Sequence, residues 1–254
     1  MKAKIQSVLL PLAVAVVFVT GWHFLVKWTG SDIFPTPGQV IAGTVELVEK
    51  GVLLKYIVAS LFRVTTGYLL AVAVGIPAGL LMGWFAPARL AFNPAIQVLR
   101  PISPIAWIPV AILWFGVSDA APVILIFLAS LFPITTSAMA AVQNIQLNYI
   151  RAARNFGVRG LALFKKVVFP AALPQILTGL RLALGVAWLV VVAAEMIAVN
   201  SGLGYLIIDA RNAGKRYDLV VAGMAMIGLI GLGLDYLVRR LEKLDEVRWG
   251  LSGR

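Results

Sequence analysis

The sequence predicts an all-α integral membrane protein of about six transmembrane helices, with both termini in the cytoplasm. Three observations lead there. Apolar residues make up 61% of the chain and charged residues only 13%, where a soluble domain carries roughly 45–50% and 25%, and the mean hydropathy is +0.93. No soluble core of this size absorbs such an excess, so lipid is the solvent. Apolar runs of about 20 residues, the length that crosses a hydrocarbon core of about 30 Å, recur along the chain. Finally, 22 basic residues stand against 11 acidic ones, and they are unevenly shared between the two sides. A net charge of +11 in a soluble protein points to nucleic acid. Here it holds helix ends at an anionic membrane surface, and no nucleic-acid partner is expected. Without cysteine, disulfides and thiolate metal sites are excluded.

The first span runs from Ile5 to about Val26. Met1-Lys2-Ala3-Lys4 ahead of it resembles the start of a secretory signal. The run is long enough to span, however, no small-x-small cleavage site closes it, and Trp22 and Trp28 sit where an interfacial aromatic belt belongs. The other spans are expected at about 57–84, 93–117, 121–142, 176–198 and 218–238. With the N-terminus inside, 13 Lys and Arg fall on the cytoplasmic side, among them Lys2, Lys4, Arg89, Arg159, Lys165, Lys166, Lys243, Arg248 and Arg254. Six fall outside: Lys27, Lys50, Lys55, Arg211, Lys215 and Arg216. That asymmetry sets the orientation.

Between the first two spans, Pro35-Thr36-Pro37 precedes a mildly amphipathic stretch from Gln39 to Val48, too polar to cross, which is expected along the outer surface. The second span places Gly67, Ala71, Gly75, Gly79 and Gly83 at every fourth position, one helical face on which a neighbouring helix can approach closely. The third contains Pro94, Pro101, Pro104 and Pro109. Each proline removes a backbone donor, and broken backbone at membrane depth is tolerated only inside protein or beside water. Arg100–Pro109 is therefore expected to border a pathway or the centre of a bundle.

The segment between the fourth and fifth spans reads as a cytoplasmic helical hairpin: a short helix around Arg151-Ala152-Ala153-Arg154, a turn at Gly157, and a second short helix stopped by Pro170 and Pro174. Ordering some thirty residues of hairpin is costly unless it docks, and small residues at 152, 153 and 157 let a partner come close.

At these residues the sequence resembles permease subunits of bacterial ABC importers of the type I fold. Their pattern is Glu-Ala-Ala, three residues, Gly, nine residues, an aliphatic, one residue, Leu-Pro. Ala152, Ala153, Gly157, Val167 and Pro170 fall on it in register, with Arg151 in place of Glu and Phe169 in place of Leu. Further stretches resemble the sulfonate/taurine/nitrate/bicarbonate subfamily, alkanesulfonate permeases first: 60–67 (SLFRVTTG), 108–116 (IPVAILWFG), 170–174 (PAALP), 178–181 (TGLR) and 200–205 (NSGLGY). The resemblance implies a single transmembrane domain over 1–254 with a core at 57–241 and a coupling hairpin at 144–174. The implied residues of ATPase coupling are Arg151, Ala152, Ala153, Arg154, Gly157 and Pro170. It also implies a second copy or close homologue, two cytoplasmic ATPase subunits that bind ATP and magnesium, an external substrate-binding protein, and a place in the bacterial cytoplasmic membrane. The implied cargo is a small anion, an organosulfonate first and nitrate or bicarbonate next. Independently, the chain contains no phosphate-binding Gly-x4-Gly-Lys-Ser/Thr loop and no nucleophile–base or metal-ligand spacing, so it is not expected to be an enzyme or to hold a cofactor.

Arg63, Arg100, Arg181 and Glu195 fall within spans, where an Arg facing lipid costs about 2.5–3.5 kcal/mol. They therefore either line a route for an anion, together with Pro101 and Pro104, or pair with Glu195, Asp235 or carbonyls to hold the bundle. On the outer loop, Arg211, Lys215 and Arg216 against Asp209 are candidates for docking the binding protein. An ion-coupled secondary transporter or channel is the alternative class. It would need internal repeats and intramembrane acids, and the sequence offers no repeat and one well-placed acid, Glu195.

Overall fold

The computed structural model describes residues 2–30, 33–212 and 214–241, with side chains between 9 and 240. Lys243, Arg248 and Arg254, used above for topology, lie outside the described residues, as do the side chains of Lys2 and Lys4. Among the described residues every regular element is helical. They are α1 (Lys2–Thr29), α2 (Pro37–Glu49), α3 (Val52–Trp84), α4 (Ala86–Leu99), a 3-10 turn (Pro104–Trp107), α5 (Ile108–Phe115), α6 (Ala120–Gln143), α7 (Leu147–Asn155), α8 (Gly160–Leu163), a π turn (Phe164–Val168), α9 (Phe169–Ala198), α10 (Leu203–Asn212) and α11 (Tyr217–Leu241).

Five stretches are long and apolar enough to cross a membrane: Leu9–Thr29, Val52–Trp84, Ala120–Gln143, Gly160–Ala198 and Tyr217–Arg240, with mean hydropathies of 1.8–2.2. A sixth is broken: Ala86–Leu99 and Pro104–Phe115 pass the same test together but bend by 84° at the proline-rich joint. α4 ends at Pro101, which has no N–H to extend it, although Arg100 keeps helical angles of φ −58° and ψ −40°. Pro104 and Pro109 each open the next turn, at positions whose missing N–H needs no helical partner. Arg100 and Pro101 are exposed on this chain and Pro104 is half-buried. The bend itself is thus exposed on this chain, while Trp107 and Ile108 just beyond it pack on the main core.

α6 is the centre of the bundle, with α3 on one side and α9 on the other. The four-residue stripe of α3 explains the first contact. A methyl at Gly67 would fall 2.6 Å from the Val123 carbonyl, one at Gly75 2.9 Å from Ile134 Cγ2, and one at Gly83 2.7 Å from Val142 Cβ. The two backbones meet with no room for a side chain, and Ala71 between them is fully buried. Because lipid supplies no hydrophobic drive between helices, this close contact is itself a source of cohesion.

α2 begins with a capping box in which the Thr36 N–H donates to Gln39 Oε1 at 2.7 Å, and it buries Val40, Gly43 and Leu47. Two expectations are corrected. The stretch before the last span is not simply a loop, because it contains α10, which buries Leu203, Leu206 and Ala210. The second helix of the hairpin is not stopped by Pro170 and Pro174: α8, the π turn and α9 run on as one apolar stretch, Gly160–Ala198. α9 runs through Pro174 as a regular helix that forgoes one N–H, and for Pro170 the π turn is the physical reason. Its wider ring, closed by the Phe169 N–H on the Phe164 carbonyl, relieves the clash that Pro170 would make with the preceding turn of a regular α-helix.

The cysteine-free chain makes the orientation directly measurable. Cysteines at Asn155 and Asn212, both exposed, should label from opposite sides of sealed membranes, Asn212 from outside and Asn155 only after permeabilisation. Labelling of Asn155 from outside would reverse the topology.

Candidate functional site

The hairpin presents an apolar patch rimmed by cations. α7 buries none of its residues. Phe156 is 88% exposed, Leu161 68% and Leu147 63%, with Arg151, Arg154, Arg159, Lys165 and Lys166 around them, all exposed. Exposed apolar groups so framed are of the kind that meet another protein or a membrane surface. Phe156 and Leu161 were not singled out from sequence, although large apolar residues beside glycines in an otherwise polar loop are a readable signal. Ala152 and Gly157 are exposed, and Ala153 and Pro170 half-buried. α7 ends in a Schellman motif: the Gly157 N–H donates to the Arg154 carbonyl and the Val158 N–H to the Ala153 carbonyl, both at 3.0 Å. Gly157 has φ +78°, the left-handed conformation that this motif requires. The base of the hairpin is fixed by buried Leu163 and Val168 and by Phe164 packing edge-on against Trp84, centroids 6.0 Å apart.

The intramembrane charges form a hub at the other end of the bundle. Arg63 is 1% exposed and Glu195 fully buried. All five guanidinium N–H groups of Arg63 have acceptors. Nε and Nη2 donate to Asp119 Oδ1 at 2.8 and 2.6 Å, and Nη1 donates to Glu195 Oε1 and to the Ser201 carbonyl, both at 2.7 Å. The fifth, on Nη2, reaches Ser201 Oγ. The second Glu195 oxygen accepts from Ser60 Oγ at 2.8 Å and from the Gly204 N–H at 3.0 Å. Breaking such a buried pair from one side typically costs about 3–5 kcal/mol, because a charge is left uncompensated. Asp119 and Ser60 were not foreseen as members. Arg181 pairs with Asp235 at 2.7 Å, which Arg239 also holds at 2.8 Å. Arg63 and Arg181 thus pair with Glu195 and Asp235, the partners named in one of the two alternatives weighed from sequence. Arg100 has no ion-pair partner among the described residues and lies exposed beside the break.

On the outer side, Arg216 is clamped to Glu46 of α2 at 2.5 Å and to Asp218 at 2.7 Å, and Lys50 adds a second contact to Glu46 at 2.6 Å. Arg211 and Lys215 are exposed, and Lys215 has φ +53°. Hydrogen bonds from Arg216 and then Lys50 hold the Glu46 carboxyl down at about 2, from its usual 4.5. A lowered carboxyl stabilises the fold fully above its unfolded value and loses that contribution as pH falls through its folded one. The difference in melting temperature between the unaltered chain and Glu46→Gln should therefore be constant from neutral pH down to about 4.5 and shrink below it, toward about 2. A difference that vanished already near neutral pH would contradict the clamp.

Among the described residues no group of His, Cys, Asp or Glu is placed to hold a metal ion. Residues 75–244 match the family model described as "Binding-protein-dependent transport system inner membrane component". The chain is 37% identical to the taurine transport system permease protein of Escherichia coli, covering 90% of this chain and 85% of that one. It is 36% identical to the nitrate import permease protein of Leptolyngbya laminosa, with the same coverage of both. The MetNI methionine ABC transporter in inward-facing conformations is a structural neighbour with TM-score 0.60 and 18% identity, covering 74% of this chain and 95% of that one. At that identity the likeness speaks for the fold.

Proposed function

This chain belongs to the family of binding-protein-dependent transport system inner membrane components, and from that premise we propose that it carries a small anion, an organosulfonate first and nitrate or bicarbonate next. It is the multi-pass permease subunit of an ABC importer, and the chain itself is not an enzyme. Taurine is a sulfonate and nitrate an oxoanion, and those are the cargoes named for the relatives. In this reading two copies, or one copy with a close homologue, sit in the cytoplasmic (inner) membrane. Two ATPase subunits bearing ATP and magnesium attach from inside, and an external binding protein delivers the anion at the edge carrying Arg211, Lys215 and Arg216.

The observation that supports this most strongly is the hairpin. Exposed Phe156 and Leu161 flank the glycine turn that follows α7, in register with the family's coupling motif, as expected of a segment seated in a cleft of the ATPase. Reconstituting the chain with its ATPase and binding protein in liposomes tests the reading. Uptake of taurine, an alkanesulfonate or nitrate should require both partners and ATP. Uptake without either partner, driven by an ion gradient, would favour a secondary transporter instead.

Arg100 is where the pathway reading rests, since Arg63 and Arg181 are paired. Arg100→Gln keeps the length and removes the charge. It should lower anion uptake roughly tenfold, about 1.4 kcal/mol of lost interaction, with ATP hydrolysis retained. Normal uptake would make Arg100 structural and remove it from the pathway.

A further inference from the structure

The hub around Arg63 holds the beginning of α10, and it does so in an unusual way. The amides at a helix start ordinarily find an acceptor on the side chain of the residue just before them. The residue before α10 is Gly202, which has none. The acceptors come from two other helices: Leu203 N–H donates to Ser60 Oγ of α3 at 2.9 Å, and Gly204 N–H to Glu195 Oε2 of α9 at 3.0 Å. The fit leaves no slack. Gly202 has φ +105°, a side chain on it would run into the Glu195 carboxylate, and one on Gly204 would fall 2.8 Å from Glu195 Cβ. Arg63 completes the grip through the Ser201 carbonyl and hydroxyl. α10 then leads to Arg211 and Lys215, and just beyond them Arg216 is clamped to Glu46 and Asp218. The outer edge is thus tied at two points, one buried and shielded from salt and the other exposed to it.

We propose that Ser60, Arg63 and Glu195 are positioning residues for the outer docking edge. Ser60 and Glu195 grip the first two amides of α10 and Arg63 grips Ser201 just before it, which fixes Arg211 and Lys215 relative to α3 and α9. Engagement of the binding protein at that edge is thereby passed to two helices of the central bundle. The inference rests on the reading that an external binding protein docks there.

The test uses the full chain assembled with its ATPase in lipid nanodiscs, with two measurements. Ser60→Ala is the first variant, since it deletes one oxygen and adds no bulk, and Glu195→Gln is the second. Amide hydrogen exchange over 200–212 should quicken by about tenfold or more while α6 stays protected, as local opening at a lost anchor does. The concentration giving half-maximal ATPase stimulation should rise about tenfold with the basal rate unchanged, one energetic step of 1.4 kcal/mol. The probes are substrate-binding proteins for taurine, an alkanesulfonate or nitrate, each saturated with its ligand. Unchanged exchange in both variants overturns the grip. Faster exchange with an unchanged response, or a basal rate that falls in step with the response, overturns the positioning role. If no loaded binding protein stimulates the unaltered assembly, the functional reading itself fails and takes this inference with it. Normal stimulation of both the unaltered chain and Ser60→Ala defeats this inference alone.

Discussion

Replacing Gly157 by leucine is expected to abolish uptake while the subunit still inserts and assembles. Gly157 sits in the left-handed position of the Schellman motif that closes α7, at φ +78°. Any other residue there costs about 1–2 kcal/mol, which loosens an exposed nine-residue helix. Within this chain no atom lies within 4 Å of where its β-carbon would point. Alanine and leucine should therefore strain the chain about equally, and any extra effect of leucine reports a partner's surface pressed against the turn. We expect Gly157→Ala to retain much of the uptake. Gly157→Leu should lose it by far more than the roughly tenfold that 1.4 kcal/mol represents, with ATP hydrolysis no longer responding to substrate. Uptake measured beside substrate-stimulated hydrolysis decides the matter. Full coupling in the leucine variant would mean that the hairpin docks by another face.

Gly79→Ala is expected to have the largest effect on folding. A methyl group there would collide with the Thr135 carbonyl and come 2.6 Å from Ala138 Cβ. Both obstacles are backbone or bonded to it, so no rotamer change makes room and α3 must move away from α6. Overpacking of this kind costs about 1–3 kcal/mol, and here the displacement spreads along a seam that includes Gly67, Gly75 and Gly83. At about 2–4 °C per kcal/mol for a chain of this order of size, the melting temperature in mild detergent should fall by roughly 5 °C or more. Gly21→Ala, with nothing within 4 Å of its new carbon, is the control. A Gly79→Ala protein that melts with the unaltered chain would show the seam to be looser than its geometry.

The spans and this seam were legible because both are periodic. Twenty apolar residues report a bilayer, and a small residue at every fourth position reports a helix facing a helix. The hub was half legible. Arg63 and Glu195 announced themselves as charges in apolar runs, but their partnership joins positions 132 apart in sequence, and Asp119, on the far side of the broken span, looked like a loop residue. α10 had a signal that polarity obscured: Leu203, Leu206 and Ala210 recur at three and four residues. Pro170 misled because the rule against proline in a helix assumes regular α-geometry. A π turn just before it escapes the rule, and nothing in 164–168 (FKKVV) declares one; Pro174 is carried inside α9 itself.

The continuous stretch from Gly160 to Ala198 is 39 residues, about 58 Å at 1.5 Å per residue, longer than a bilayer with its headgroups at about 40–45 Å. One end bears the hairpin and the other bears Glu195, and each must face a particular direction. At 3.6 residues per turn, losing one residue between them rotates one end against the other by about 100°. Either Glu195 would leave Arg63 or the hairpin would turn away from its seat. A deletion within the π turn would leave both ends in phase, but it would close the winding into the regular α-helical turn with which Pro170 clashes. The length of this helix is in effect an angle, and the spare residue in its winding is held there by Pro170.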